Sequence, residues 1–359
     1  MTTSVVIAAG GTGGHLVPAL AVADALRKDP TVTVAFIGTR RALDRDLVPR
    51  AGYRSHATSV RPFVRGARGL LAPPSLVPAT MQAGRILRQE RASVVLGMGG
   101  YASVPVVAAA RLARIPSLIH EANAVPGLAN EIAARLTSNI AVSFAATAFP
   151  GRAPRLIGVP LRASIAHLDR VAARPGAIEH FGLDPAMRTV LIFGGSQGAA
   201  RINAAAVGLA ERWRDRRDVQ IMLSAGPSHD VSLVRGHVAG YIDRMDLAYA
   251  AADVVVGRSG ASTVAELAAV GLPSILVPLP FARRLEQHAN ARTMVAAGGA
   301  SVIDDASLDA DGLAAALDEL FAHPERLRSM GLAARALGRP DAADAMAAWV
   351  LACAKDRRG

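Results

Sequence analysis

Lysine is almost absent from this chain. Lys28 and Lys355 are the only two among 40 basic residues, so a net charge of +11 is carried by arginine. A compositional bias towards arginine explains that charge as well as attraction to phosphate, anionic lipid or nucleic acid does. Aromatic residues make up only 4% and are not interleaved with arginines, which removes the stacking platforms that a nucleic-acid binder needs. The single cysteine, Cys353, excludes an internal disulfide and agrees with a reducing compartment. No apolar run reaches the ~20 residues of a membrane span: stretches such as SVPVVAAARLARIPSLI are cut by Arg111, Arg114 and Pro116. No basic segment leading into an apolar one opens the chain, so a cytosolic protein is expected that touches a bilayer at most from one side. Two ligand fingerprints are missing as well. Leu16 stands where the third glycine of G-x-G-x-x-G belongs, and no glycine precedes either lysine as a P-loop requires. Nicotinamide binding and P-loop ATP hydrolysis both lose support.

What is present is a repeated pattern of strand, glycine turn and helix. It occurs in SVVIAAGGTGGHLVPALAVADALRK, ASVVLGMGGYASVPVVAAARLA, RTVLIFGGSQGAARINAAAVGLAERW and ADVVVGRSGASTVAELAAVGLP. Short continuous apolar runs bounded by glycine predict strands buried on both faces, hence a doubly wound α/β fold with parallel sheets. At 359 residues the chain exceeds the size of one hydrophobic core, and two domains are expected. The units starting near Ser4 and Arg188 read as the first βα units of two Rossmann-type domains, with a boundary near Leu161. The last helix, over about 338–359, has its proline near the first turn and can pack on either domain.

A glycine turn between strand and helix aims backbone N–H groups outward at a helix N-terminus and lets a bulky anion approach. Tight packing of strand on helix would use glycine equally well; four such loops favour a cleft that holds phosphates. Polar residues follow the turns: His15 the first, Ser196 and Gln197 the third, Arg258 and Ser259 the fourth. His15 has the chemistry of a general base near neutrality, or else it caps and orients its turn. Arg258 can pair with a phosphate in bidentate fashion beside the SGAST helix start. Glu266 on that helix either accepts a ribose diol or forms part of a solvated face. Two D-x-D pairs, Asp44 with Asp46 and Asp309 with Asp311, have the wrong geometry for a metal, and no metal or other cofactor is expected.

Seven motifs together closely resemble the MurG-type glycosyltransferases of peptidoglycan synthesis, in glycosyltransferase family 28. They are GGTGGHLVPALAVADAL, LGMGGYASVP, IHEANAVPGLAN, GVPLR, GGSQGAARIN, YIDRMDLAYAAADVVVGRSGASTVAELAAVGLPSILVPLP and EQHANA, and they cover nearly the whole chain in the family's order. The resemblance implies a GT-B fold, two Rossmann-like domains with parallel sheets facing a central cleft. Residues 1–161 would form the acceptor and membrane side, joined by the helix at 338–359, and 162–337 the UDP-sugar domain. It implies metal-independent transfer of N-acetylglucosamine from UDP-GlcNAc to undecaprenyl-pyrophosphoryl-MurNAc-pentapeptide, turning lipid I into lipid II for cell-wall synthesis. Donor contacts carried over are Thr12, Gly13, Gly14, Asn123, Arg162, Ser196, the backbone at Ile242, Arg258, Ala261, Ser262, Thr263, Glu266, Gln287 and Asn290. The acceptor side takes Gly13, Gly14, Gly99, Gly100, Tyr101 and Glu121, and His15 is the candidate base. The loop RPFVRGARGLLAPPSLVPA and Glu286 depart from the family pattern. Between residues 61 and 91, Leu70, Leu71, Leu76 and Val77 lie among Arg61, Arg65, Arg68, Arg85 and Arg88, which suits an anionic inner leaflet or, alternatively, a loop packed on the first domain. The expected location is the cytoplasmic face of the plasma membrane. Rival readings are a paralogous transferase acting on a modified lipid or an antibiotic aglycone, a UDP-sugar epimerase, a nicotinamide dehydrogenase and a nucleotide sensor without turnover.

Overall fold

In a computed structural model the chain divides into two compact units, residues 1–162 with 341–359 and residues 163–340. The structure describes all residues except 1, 11–12, 40–41, 62–63, 67–68, 72–74, 196, 228–232, 234–235, 281–283 and 357–359, and leaves aside the side chains of 42–45, 64–66, 69–71 and 356. The first unit contains β1 (Thr3–Ala8), α1 (Gly13–Arg27), β2 (Val32–Gly38), α2 (Ala42–Arg50), β3 (Arg54–Ala57), β4 (Val64–Gly66), β5 (Gly69–Leu71), α3 (Leu76–Gln89), β6 (Val94–Gly97), α4 (Ser103–Leu112), β7 (Ser117–Glu121), α5 (Leu128–Ala133), β8 (Asn139–Val142) and β9 (Arg155–Leu156). Its seven-stranded sheet has the order β3-β2-β1-β6-β7-β8-β9, parallel throughout, while β4 and β5 pair with each other antiparallel.

The second unit contains α6 (Ala163–Ala166), α7 (Arg170–Phe181), β10 (Arg188–Phe193), α8 (Ala200–Arg212), β11 (Val219–Ser224), β12 (His237–Ala239), α9 (Met245–Ala251), β13 (Val254–Gly257), α10 (Ala261–Val270), β14 (Ser274–Leu276), α11 (Glu286–Ala296), β15 (Ala300–Val302), α12 (Ala310–Ala322) and α13 (Pro324–Leu337). Its six strands run β12-β11-β10-β13-β14-β15, again all parallel. The final helix, α14 (Ala342–Asp356), belongs to the first unit.

Alternation along each central strand explains the layers. Val5 and Ile7 point into a core shared with Leu16, Val22 and Leu26 of α1 and with Met346 and Val350 of α14. Val6 and Ala8, one residue out of phase, face Ala83 and Leu87 of α3 and Val106 and Ala110 of α4 on the other side. Lys28 pairs with Asp344 at 2.7 Å and the Arg155 guanidinium lies 5.3 Å from the Trp349 ring, fixing α14 at its rim. In the second unit Val190 and Ile192 meet Ile202 and Leu209 of α8 and Leu313, Leu317 and Phe321 of α12.

Each sheet has one topological switch point. Chain order reverses between β1 and β6 in the first unit and between β10 and β13 in the second. Open α/β sheets bind ligands at the carboxyl ends of the strands beside such a point. The four glycine turns read from the sequence follow β1, β6, β10 and β13. Among the described residues no helix is long and apolar enough to cross a membrane.

Candidate active site

At the first switch point, α1 begins at Gly13 and the β6–α4 turn carries Gly99 and Gly100 at φ +88° and +73°. Positive φ favours glycine at both positions, and His15 crowds both. A Cβ on Gly99 would stand 3.0 Å from His15 Nδ1, and one on Gly100 would stand 2.8 Å from the Gly10 carbonyl and 3.2 Å from His15 Cδ2. Gly13 differs: its φ is not positive, and a Cβ there would meet nothing within 4 Å among the described residues. Among the described residues neither torsion nor packing demands glycine at 13, and a glycine there would allow a ligand to approach closely. His15 is half-buried, and its Nδ1 is buried with no hydrogen-bond partner among the described residues. Burial holds its pKa below the usual 6.5, against the opposing pull of the Glu121 charge and the Met98 carbonyl. Burial thus favours the neutral imidazole, the form able to accept a proton.

Behind His15, Glu121 at the end of β7 is buried and committed to its own loop. Its Oε1 accepts from the Asn123 N–H at 2.9 Å and its Oε2 from the Gly127 N–H at 2.9 Å and Asn130 Nδ2 at 2.8 Å. Four donors, counting Asn123 Nδ2 at 3.4 Å, shape the 122–130 segment around one carboxylate. His120, read from the sequence only as part of a motif, is buried with Nε2 2.9 Å from the Gly158 carbonyl, and burial pushes its pKa down to about 4. Tyr101 is half-buried against Val60, Ala79 and Ala102.

At the second switch point the β10–α8 turn places Gly195 and Gly198 at φ +92° and +73°, and Gly194 packs so closely on Ala199 that a Cβ would lie 2.4 Å away. Ser196 of that turn lies outside the described residues, as does Thr12 in the first unit. After β13, Gly260 caps α10 in an extended conformation, so the first N–H groups of the helix, those of Ala261, Ser262 and Thr263, have no side-chain cap from Gly260 and form an end suited to an anion. Ser262 Oγ is buried there with no partner among the described residues. Glu266 follows one turn later, half-buried, and its Oε2 accepts the Tyr249 hydroxyl at 2.7 Å.

Three residues carried over as donor contacts have protein partners or are buried. Arg258, read as a phosphate ligand, pairs with Asp305 at 2.6 Å and donates to the carbonyls of Val277 and Pro278, each at 3.2 Å. A largely buried guanidinium and carboxylate hold each other there. Asn290 is 0% exposed and its Nδ2 donates to the Ser259 carbonyl at 3.1 Å, tying α11 to the fourth turn. Ile242 is buried. Gln287 is half-buried and accepts from the Leu279 N–H at 3.0 Å, while Arg162 is exposed. Asn123 is half-buried, its carbonyl accepting from Thr147 Oγ1 at 3.1 Å. Asp309 caps α12 by accepting from the Gly312 N–H at 2.7 Å, and Asp311 pairs with Arg212 at 2.6 Å.

Two Rossmann-like units, each with a parallel sheet and glycine turns at its switch point, give the GT-B architecture, and the chain is a glycosyltransferase by its match to the Glycosyltransferase family 28 N-terminal domain over residues 5–142 and C-terminal domain over residues 189–346. With near full-length relatives in the same family, the chain belongs to glycosyltransferase family 28. It is 44% identical to the UDP-N-acetylglucosamine--N-acetylmuramyl-(pentapeptide) pyrophosphoryl-undecaprenol N-acetylglucosamine transferase of Streptomyces coelicolor, over 96% of this chain and 97% of the relative. The enzyme of the same name from Mycobacterium avium is 43% identical over 95% of this chain and 86% of its own length. Among solved structures, MurG of Acinetobacter baumannii superposes with a TM-score of 0.78 at 27% identity, covering 98% of this chain and all (100%) of that one. The UDP-GlcNAc 2-epimerase of Neisseria meningitidis, at 14% identity and a TM-score of 0.67 over 98% and 100% of the two chains, shares the fold alone.

Proposed function

We propose that this chain transfers N-acetylglucosamine from UDP-N-acetylglucosamine to the 4-hydroxyl of the N-acetylmuramoyl residue in an undecaprenyl-pyrophosphoryl pentapeptide acceptor, with inversion at the anomeric carbon. The observation that carries the reading is the 44% identity, over nearly the full length of both chains, to a transferase of that name. The glycine start of α1 and the start of α10, which lacks a side-chain cap, supply backbone N–H groups for the chemistry it needs. The acceptor oxygen bonds to C1 as the bond from C1 to the UDP oxygen breaks. The hydroxyl proton goes to His15 Nε2, and the charge gathering on UDP is met by the N–H groups of Ala261, Ser262 and Thr263 and by the Gly194–Gly198 turn. Glu266 receives the ribose diol, and Gln287 contacts the hexose. Because Arg258 is engaged with Asp305, its part is to hold the 277–279 segment rather than to clamp phosphate directly.

For the membrane side we propose the exposed face of α3. Val77 and Met81 are 69% and 59% exposed on the face that continues through Arg85 and Arg88, opposite buried Ala79, Ala83 and Leu87. Leu76 is half-buried, while Leu70, Leu71, Arg65 and Arg68 lie outside the described side chains. An apolar pair flanked by cations suits a peripheral stay on the anionic cytoplasmic leaflet. The activity is tested by incubating the purified protein with UDP-GlcNAc and a short-chain lipid I analogue and following product by mass spectrometry. The expected product is the disaccharide-bearing lipid, with turnover lowered at least a hundredfold in His15→Ala while UDP affinity is kept. Unchanged turnover in that variant would remove His15 from the mechanism. Epimerised UDP-sugar with no consumption of acceptor would replace the transferase reading by the epimerase one.

A further inference from the structure

Tyr249 is a buried phenol that the reaction as described does not use. It sits on α9 and is 0% exposed, with its ring edge-on to Phe193 at 6.4 Å between centroids. The end of α9 is clamped from α7. Arg170 Nε donates to the Tyr249 carbonyl at 3.0 Å, and Arg174 donates to the Ala251 carbonyl at 2.8 Å while pairing with Asp253 at 2.9 Å. A ring so held has one place for its hydroxyl, and that hydroxyl donates to Glu266 Oε2 at 2.7 Å.

We propose that Tyr249 is a positioning residue for the donor nucleotide, its hydroxyl fixing the Glu266 carboxylate in the orientation that receives the ribose diol. The proposal rests on the reading of Glu266 as the ribose ligand. Glu266 lies three and four residues after Thr263 and Ser262, so it shares their helix face one turn, about 5.4 Å, beyond the amides assigned to phosphate. That rise matches the step from a nucleotide's diphosphate to its sugar. A half-exposed glutamate has several rotamers, and ordering it only when ligand arrives weakens binding. A carboxylate offers about four acceptor positions, and the phenol on one oxygen limits rotation of the group.

The same hydrogen bond could simply strut α9 against α10, and affinities for UDP and 2′-deoxy-UDP separate the two roles. Titration calorimetry at 10 °C on the wild type, Tyr249→Phe and Glu266→Gln, with melting followed in parallel, gives the ratio of the two affinities. The wild type is expected to favour UDP about tenfold, Glu266→Gln to lose the preference, and Tyr249→Phe to weaken UDP about fivefold while changing 2′-deoxy-UDP less than twofold. Equal weakening of both nucleotides in Tyr249→Phe, or no weakening of either, overturns the proposal and leaves the ribose reading standing. A preference unmoved in Glu266→Gln overturns the ribose reading and the proposal with it. Glu266→Asp, which keeps the charge but withdraws the carboxylate from the phenol, gives a check independent of the Phe variant: loss of the preference supports the proposal and its full retention overturns it.

Discussion

Gly13 opens α1, and a Cβ there would meet nothing within 4 Å among the described residues, so alanine fits there. Gly13→Ala is expected to raise stability by roughly 0.5–1 kcal/mol, the ordinary gain of replacing glycine in a helix, while cutting transferase turnover at least tenfold. Thermal melts and initial rates on the same preparation check both halves; full activity would mean that no ligand approaches this helix end. His15 supplies a pH prediction. Its pKa is lowered by burial, so the neutral base persists as pH falls and is lost only on protonation below 6.5. The acid limb of kcat/KM is therefore expected to have its midpoint below pH 6.5, and a midpoint above that value would contradict the assignment. Residue by residue, the sequence was informative about types and less so about partners. The glycines at 99 and 100 were legible as a turn, but the imidazole that crowds them is 84 residues or more earlier in the chain. Nothing local to Arg258 reveals its partner Asp305, which is 47 residues away in the sequence. Asn290 and Tyr249 are settled by burial, a tertiary property to which a short window gives no access.

On the scale of elements, α3 carries the clearest division of faces. Substituting Val77→Asp together with Met81→Asp leaves buried Ala79, Ala83 and Leu87 untouched, so folding is kept while the exposed face is made anionic. Co-sedimentation with vesicles containing anionic lipid should fall at least several-fold, and binding of the wild type should weaken with added salt. Binding unchanged by the pair would place the membrane contact elsewhere. The helix α14 makes a different prediction. Met346 is fully buried in the core of the first unit, so Met346→Ala is expected to cost about 2–5 kcal/mol there. Differential scanning calorimetry should show the loss in one transition and spare the unit formed by 163–340; equal loss in both would mean that the units do not unfold independently. The strand–turn–helix units were legible because glycine ends each apolar run. The sheet order was not, since identical βα units can be laid on either side of the first strand. Only the crossovers decide where the switch point falls, and the sequence signals of Pro340 and the following helix leave open which sheet α14 covers.

For the molecule as a whole, fold likeness and sequence likeness carry different weight. Transferase and epimerase chains superpose on this one with TM-scores of 0.78 and 0.67, so architecture alone does not choose between moving a sugar and rearranging it. The choice rests on the near full-length identity to transferases. The most direct measurement follows UDP-GlcNAc labelled with ¹³C at C1, mixed with a lipid I analogue, by NMR through a complete reaction. The account predicts that the α-anomeric signal of the nucleotide sugar is replaced by one β-anomeric signal on the acceptor. Label that remains on the nucleotide sugar, emerges as free hexose, or reaches the acceptor in an α linkage would contradict it.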